Sequence, residues 1–230
     1  MTFSIVARCP RTGQFGVAAA TAMPAVGKLL SHAAAGAGAV ATQAQVNPYL
    51  GLDGLALLRD GHSSPAALKQ LMDSDPCMQL RQLALIDRNG DSVCWTGSEC
   101  IAWAGSLSGE QFSVQGNRLA GPQVLDAVAD AFRRGDERPL VERLIDALEA
   151  GDDRGGDREG ESSAVIYIVD REEYPLWDIR VDHHRDPVAE LWRLHAVFAR
   201  EVLPEILAMP TRDNLSLIHI SEPTRLRRIS

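Results

Sequence analysis

The sequence lacks any apolar run of the roughly 18 residues that a membrane span needs, so a bilayer protein is not expected. It has no C-x-x-C pair among its four cysteines, Cys9, Cys77, Cys94 and Cys100, and their spacing fits no zinc-ligand pattern. These cysteines read as buried small hydrophobes. The chain has no excess of positive charge. Its net charge of -8 argues against a nucleic-acid partner, because little here would neutralise a phosphate backbone. It has no Walker pattern, and its acidic glycine-rich loop lacks the calcium-loop spacing. MTFSIVARCPR has no basic segment followed by an apolar stretch of signal-peptide length, so the expected location is cytoplasmic. What is present is ordinary: 230 residues, 45 % hydrophobic and 23 % charged. That suits one domain with a full core and excludes a mainly disordered, collagen-like or disulfide-scaffold chain.

The last stretch stands apart. Residues 215–225 read LSLIHISEPTR, which back-translates to a transposase adapter used in sequencing libraries. The Ile-Ser pair at 229–230 continues it. Residues 215–230 are therefore taken as translated adapter and 207–214 as a truncated C-terminal segment, with the domain over 1–206. Without the adapter, basic residues fall from 23 to 20 and acidic from 31 to 30, a net charge near -10.

Pattern along the chain gives strands, helix pairs and strands in alternation. Thr2–Arg8 and Phe15–Thr21 read as a hairpin across the CPRTG turn. Residues 33–43, AAAGAGAVATQ, read as one strand of small side chains, buried on both faces or closely packed. Asn47-Pro48 opens a helix closed by Gly61, and Ser64-Pro65 opens a second. Residues 80–86 and Ser92–Thr96 form a hairpin around Asn89-Gly90, and 111–114 is a short strand. Helices follow from Pro122 and Pro139. Ser163–Val169 and 177–181 pair, and a helix over 187–203 ends or kinks at Pro204. Hairpins dominate, so the sheets are largely antiparallel with helices outside: an α/β sandwich.

Thr2 is the sharpest chemical clue. It is small enough for methionine aminopeptidase to remove Met1. The mature threonine would then carry its own α-amine, of ordinary pKa about 7.7–8.0, beside its hydroxyl. Gln43 and Asn47 can donate amide hydrogens to an oxyanion, and so can Gln115 and Asn117. The plain reading of Gln43 and Asn47 is turn capping ahead of Pro48. Arg8 is either an electrostatic helper or a surface strand residue. His183 and His184, adjacent on a strand end, point to opposite faces and do not readily share one ion. No metal or cofactor is expected.

Five blocks carry a family resemblance: MTFSIVAR, AVGKLLSHAAAGAGAVATQAQVNP, VQGNRLAGPQV, GGDREGESSA and IRVDHHRDPVAELWRL. In order and spacing they resemble the bacterial domain-of-unknown-function family 1028, which is Ntn-hydrolase-like. The resemblance implies a four-layer αββα sandwich with two stacked antiparallel sheets, as in proteasome subunits. It also implies hydrolysis of an amide or related acyl bond of a small molecule by an N-terminal nucleophile. The rival is a ligand-binding or accessory protein on the same fold, since fold does not fix function. A weaker reading is a metal-dependent hydrolase using His183 or His184. Within the resemblance Thr2 takes the nucleophile position. Asp157 and Ser163 match recurrent positions and would orient its amine and hydroxyl; otherwise Asp157 caps its loop and Ser163 packs a strand. Ser162 stands where the family usually has Gln. Lys28 and Lys69 are the two lysines, and only Lys28 could approach Thr2. A homo-oligomer is expected.

Overall fold

The computed structural model describes residues 2–215; Met1 and residues 216–230, most of the stretch read above as adapter, lie outside the described residues. Two antiparallel sheets stack face to face between two helical layers. The first has six strands in the order β10-β9-β2-β1-β8-β7. These are β1 (Thr2–Arg8), β2 (Phe15–Thr21), β7 (Gly105–Gly109), β8 (Phe112–Asn117), β9 (Ser163–Val169) and β10 (Pro175–Val181). The second has four in chain order: β3 (Ser31–Ala34), β4 (Gly38–Ala44), β5 (Arg81–Asp87) and β6 (Ser92–Thr96). Helices α3 (Gln123–Arg134), α4 (Leu140–Asp152) and α5 (Pro187–Glu201) cover the larger sheet. Helices α1 (Pro48–Arg59) and α2 (Ser64–Ser74) cover the smaller. The order is αββα.

Strand alternation sorts side chains into three cores. On β1, Phe3, Ile5 and Ala7 join Val128, Phe132 and Leu144 under α3 and α4. Val6 faces inward with Val17, Ala19, Ala39, Ala41, Ala84 and Ile86. Leu83 and Leu85 turn outward to Leu50, Leu58 and Leu71 of α1 and α2. The alanines between the sheets explain the small-residue run.

That run is not one strand. It is the β3–β4 hairpin, turning where Gly36 has φ 66° and Gly38 φ 154°. A Cβ on Gly38 would sit 2.2 Å from the Ile86 carbonyl oxygen, so only glycine fits. Strand β7 was not expected, because GSLSG has no apolar alternation. Strand β8 runs on to Asn117, past the expected end at 114. Helix α5 stops at Glu201, and Pro204 sits in the first turn of α6 (Leu203–Leu207), where a proline needs no N–H partner. Of the cysteines only Cys9 is buried; Cys77, beside Pro76 in the α2–β5 connection, is exposed.

Candidate functional site

Four neighbouring strands end together at one edge of the larger sheet. Asn117 of β8 pairs with Thr2 of β1, and Ser163 of β9 pairs with Thr21 of β2. The β1–β2 register continues past Phe3–Ala20, so Thr2 and Thr21 adjoin. The result is a row of four polar side chains, Asn117, Thr2, Thr21 and Ser163, facing the second sheet. The Thr2 and Thr21 hydroxyls are 3.1 Å apart.

The facing sheet answers with amides. Gln43 of β4 accepts from the Ser4 hydroxyl at 2.6 Å. Its Nε2 donates to the Thr2 carbonyl oxygen at 3.3 Å and to Gln82 Oε1 at 2.7 Å. Gln82 Oε1 also accepts from Asn117 Nδ2 at 3.1 Å. Gln82 Nε2 reaches the Gly116 carbonyl at 2.8 Å, Thr96 Oγ1 at 2.9 Å and the Gly105 carbonyl at 3.0 Å. Gln115 donates to the Ala41 carbonyl at 3.2 Å, while its Oε1 has no partner among the described residues. All four amides are buried. A polar network this buried favours one arrangement, because each further lost partner leaves a costly orphan.

The wall of the site is the segment after Thr21. Asp157 Oδ2 accepts from the Ala22 N–H at 3.0 Å. Ser162 donates to the Ala22 carbonyl and Ser163 to the Met23 carbonyl, each at 2.6 Å. Ser163 also accepts from the Val26 N–H at 3.1 Å. Asp157 and Ser163 therefore converge on the wall beside Thr2. Burial pushes the Asp157 carboxyl up, against the pull of the Glu159 and Ala22 N–H bonds. Behind it Glu161 accepts from the Asp157 N–H at 2.7 Å. Burial, then its hydrogen bond with Asp152, raises Glu161 to about 8.

A cleft of about 500 Å³ opens at this wall, lined in part by Thr2, Thr21, Met23, Lys28 and Val46. A second cavity of about 330 Å³ takes in Asn117, Arg118, Glu99 and Gln45.

Thus Thr2, Gln43, Asn117, Asp157 and Ser163 gather at one place, with Gln115 two residues away on β8, opposite Ser4. Asn47 and Arg8 do not join them. Asn47 caps α1, accepting from the Tyr49 N–H at 3.1 Å and donating to Asp75 at 2.8 Å. Arg8 closes β1 at its far end, six residues or roughly 20 Å from Thr2, bonded to Gln111. Arg8 is therefore no electrostatic helper for Thr2. The His184 ring contacts the Asp186 backbone. Among the described residues no group of three or more His, Cys, Asp or Glu could hold a metal. Sequence reasoning missed Gln82 and Thr21. Gln82 carried a signal: it lies on the inward side of β5 with Ala84 and Ile86, directly opposite Gln43.

No match was found among curated proteins. Among solved structures, protein SPO2555 from Silicibacter pomeroyi, of family DUF1028, superposes with a TM-score of 0.86 at 30 % identity. The match covers 94 % of this chain and 97 % of that one. Anbu (ancestral beta-subunit) from Yersinia bercovieri matches at a TM-score of 0.43 and 12 % identity, over 86 % and 97 % of the two chains. That likeness is too loose to bear on fold or chemistry. The family of unknown function DUF1028 matches residues 2–191. The resemblance read in the five sequence blocks holds, and the chain belongs to DUF1028.

Proposed function

We propose that the protein is an N-terminal-nucleophile hydrolase acting on an amide or related acyl bond of a small molecule. One observation carries the reading: Thr2, at the head of a central strand, borders a cleft in a row of polar side chains, with a buried amide network behind it. In the mature chain the Thr2 hydroxyl attacks the substrate carbonyl carbon. Its proton passes to the α-amine, and then to the departing nitrogen as the C–N bond breaks. Water adds to the resulting ester, its proton moving through the same amine to Thr2 Oγ, and the acid leaves.

The parts divide by what they can still donate. Both hydrogens of the Gln43 amide are engaged, at the Thr2 carbonyl and at Gln82, so Gln43 is a positioning residue. Asn117 spends one hydrogen on Gln82 and is the cross-strand neighbour of Thr2, which suits its second hydrogen to an oxyanion. Asp157 and Ser163 set the wall and the approach to the amine.

The test is treatment of the purified protein with a β-lactone acylating probe, followed by mass mapping of the N-terminal peptide. The expected result is a peptide that begins at Thr2 and bears the adduct there, absent in Thr2→Ala. A retained Met1 and an unlabelled Thr2 would remove the mechanism and favour a binding role on the same fold.

A further inference from the structure

We infer that the cleft beside Thr2 binds a hydrocarbon acyl chain, so that the substrate is an amide with an apolar acyl part and a polar amine part. This rests on Thr2 as the nucleophile and goes on to name what it acts on.

The two sides of Thr2 differ in character. On the β2 side apolar side chains predominate in the cleft, around a floor that includes Thr2, Thr42 and Gln43. Met23, Leu29 and Val46 line it while 64 %, 42 % and 39 % exposed, and Pro24 and Val26 continue the surface. A single exposed apolar side chain needs no explanation, but three converging on one concave surface mark a binding site. Among the described residues Lys28 is the one charged residue in its lining. On the β8 side lies the separate cavity of about 330 Å³, whose lining brings the charged Glu99 and Arg118, with Gln45, beside Asn117, among the apolar Leu80 and Ile101.

Chemistry decides which part of the substrate goes where. After the C–N bond breaks, the acyl group stays on Thr2 Oγ and the amine leaves. Water must then reach the ester carbonyl from the side the amine vacated. The side that carries Glu99 and Arg118 therefore suits the amine, and the more apolar cleft suits the part that remains. The wall is also held in advance: Asp157, Ser162 and Ser163 fix the Ala22 and Met23 backbone. A cleft of about 500 Å³ is in the range that encloses a small organic ligand.

The experiment is the rate of Thr2 labelling by a series of β-lactones bearing methyl, propyl, pentyl and heptyl groups on the α-carbon, read by mass spectrometry on the full chain. Ring opening leaves the alkyl group on the acyl side. The expected result is a rise of about fourfold per buried methylene until the cleft fills. In Leu29→Ser and Val46→Ser the heptyl-to-methyl ratio falls several-fold. In Leu207→Ser, an exposed apolar residue on α6 away from the cleft, the ratio holds. A flat series with Thr2 still labelled overturns the acyl-chain inference and leaves the nucleophile reading standing. A flat series together with a dimer in sedimentation that Leu29→Ser dissociates assigns the apolar rim to a second copy of the chain. No labelling of Thr2 by any member overturns both readings.

Discussion

Gln82 ties the two sheets together at the end where Thr2 sits. Its carbonyl oxygen serves Gln43 and Asn117, and its amide faces three oxygens. Gln82→Leu keeps the volume but orphans buried donors and acceptors, at about 1–3 kcal/mol each when unmet. The expected loss is about 2–4 kcal/mol in urea denaturation, with a larger fall in Thr2 labelling than the stability change alone gives. Glu161 makes a pH prediction. Folded, it keeps its proton up to about pH 8, against an ordinary value of 4.5. The folded state therefore binds more protons between those values. The stability that this proton confers is fully present below about 4.5 and is lost as pH rises through about 8. The melting temperature should fall from pH 6 to 9. In Glu161→Gln, which keeps a donor toward Asp152, on the order of 1–2 kcal/mol of that loss should disappear. The proposed catalysis runs the other way: a Thr2 amine acting as base must be unprotonated, so kcat/KM should rise through about pH 7.7–8.0.

At the scale of elements, the space between the sheets is filled largely by small side chains. Ala41 and Ala84 pair across β4 and β5, and both are fully buried against the inner face of the larger sheet. Ala41→Leu should cost about 1–3 kcal/mol by overpacking, read as a lower guanidinium midpoint with an unchanged slope. The Asn47 cap gives the contrasting case. Asn47→Ala should cost about 1 kcal/mol through α1 and leave Thr2 labelling unchanged. The same elements show what the sequence reveals. Strands with apolar alternation or β-branched runs, such as SAVIYIV, are plain, as are helices opened by Pro48, Pro65 or Pro187. The β3–β4 turn hides because its glycines stand among residues almost as small. GSLSG hides because its pairing to β8, and not its side chains, makes it a strand. For the site, Thr2, Asp157 and Ser163 were legible from position and resemblance. Strand alternation put Gln82 on the inward side of β5, but its partners Gln43 and Asn117, 39 and 35 residues away, show only in the fold. Asn47 and Arg8 were drawn in by residue type alone, and only the fold separates a cap and a strand end from the cleft.

The whole molecule has three apolar layers that share strands. β1 contributes Phe3 to the α3–α4 layer and Val6 to the inner one, while β5 contributes Ile86 to the inner layer and Leu83 to the α1–α2 layer. No layer is expected to melt by itself. Trp95 packs at the α1–α2 layer and Trp177 in the α3–α5 layer. Single-tryptophan variants retaining one or the other should give superimposable urea curves, the mark of one cooperative unit.

The position of β1 also has a practical side. Its first residue is flanked by β2 and β8 in the middle of a six-stranded sheet and lies in the cleft wall. Residues fused ahead of Thr2 would begin at the cleft wall. Affinity handles and fusion partners belong at the other terminus. A compound screen on N-terminally tagged protein would add chain at the very residue that lines the cleft.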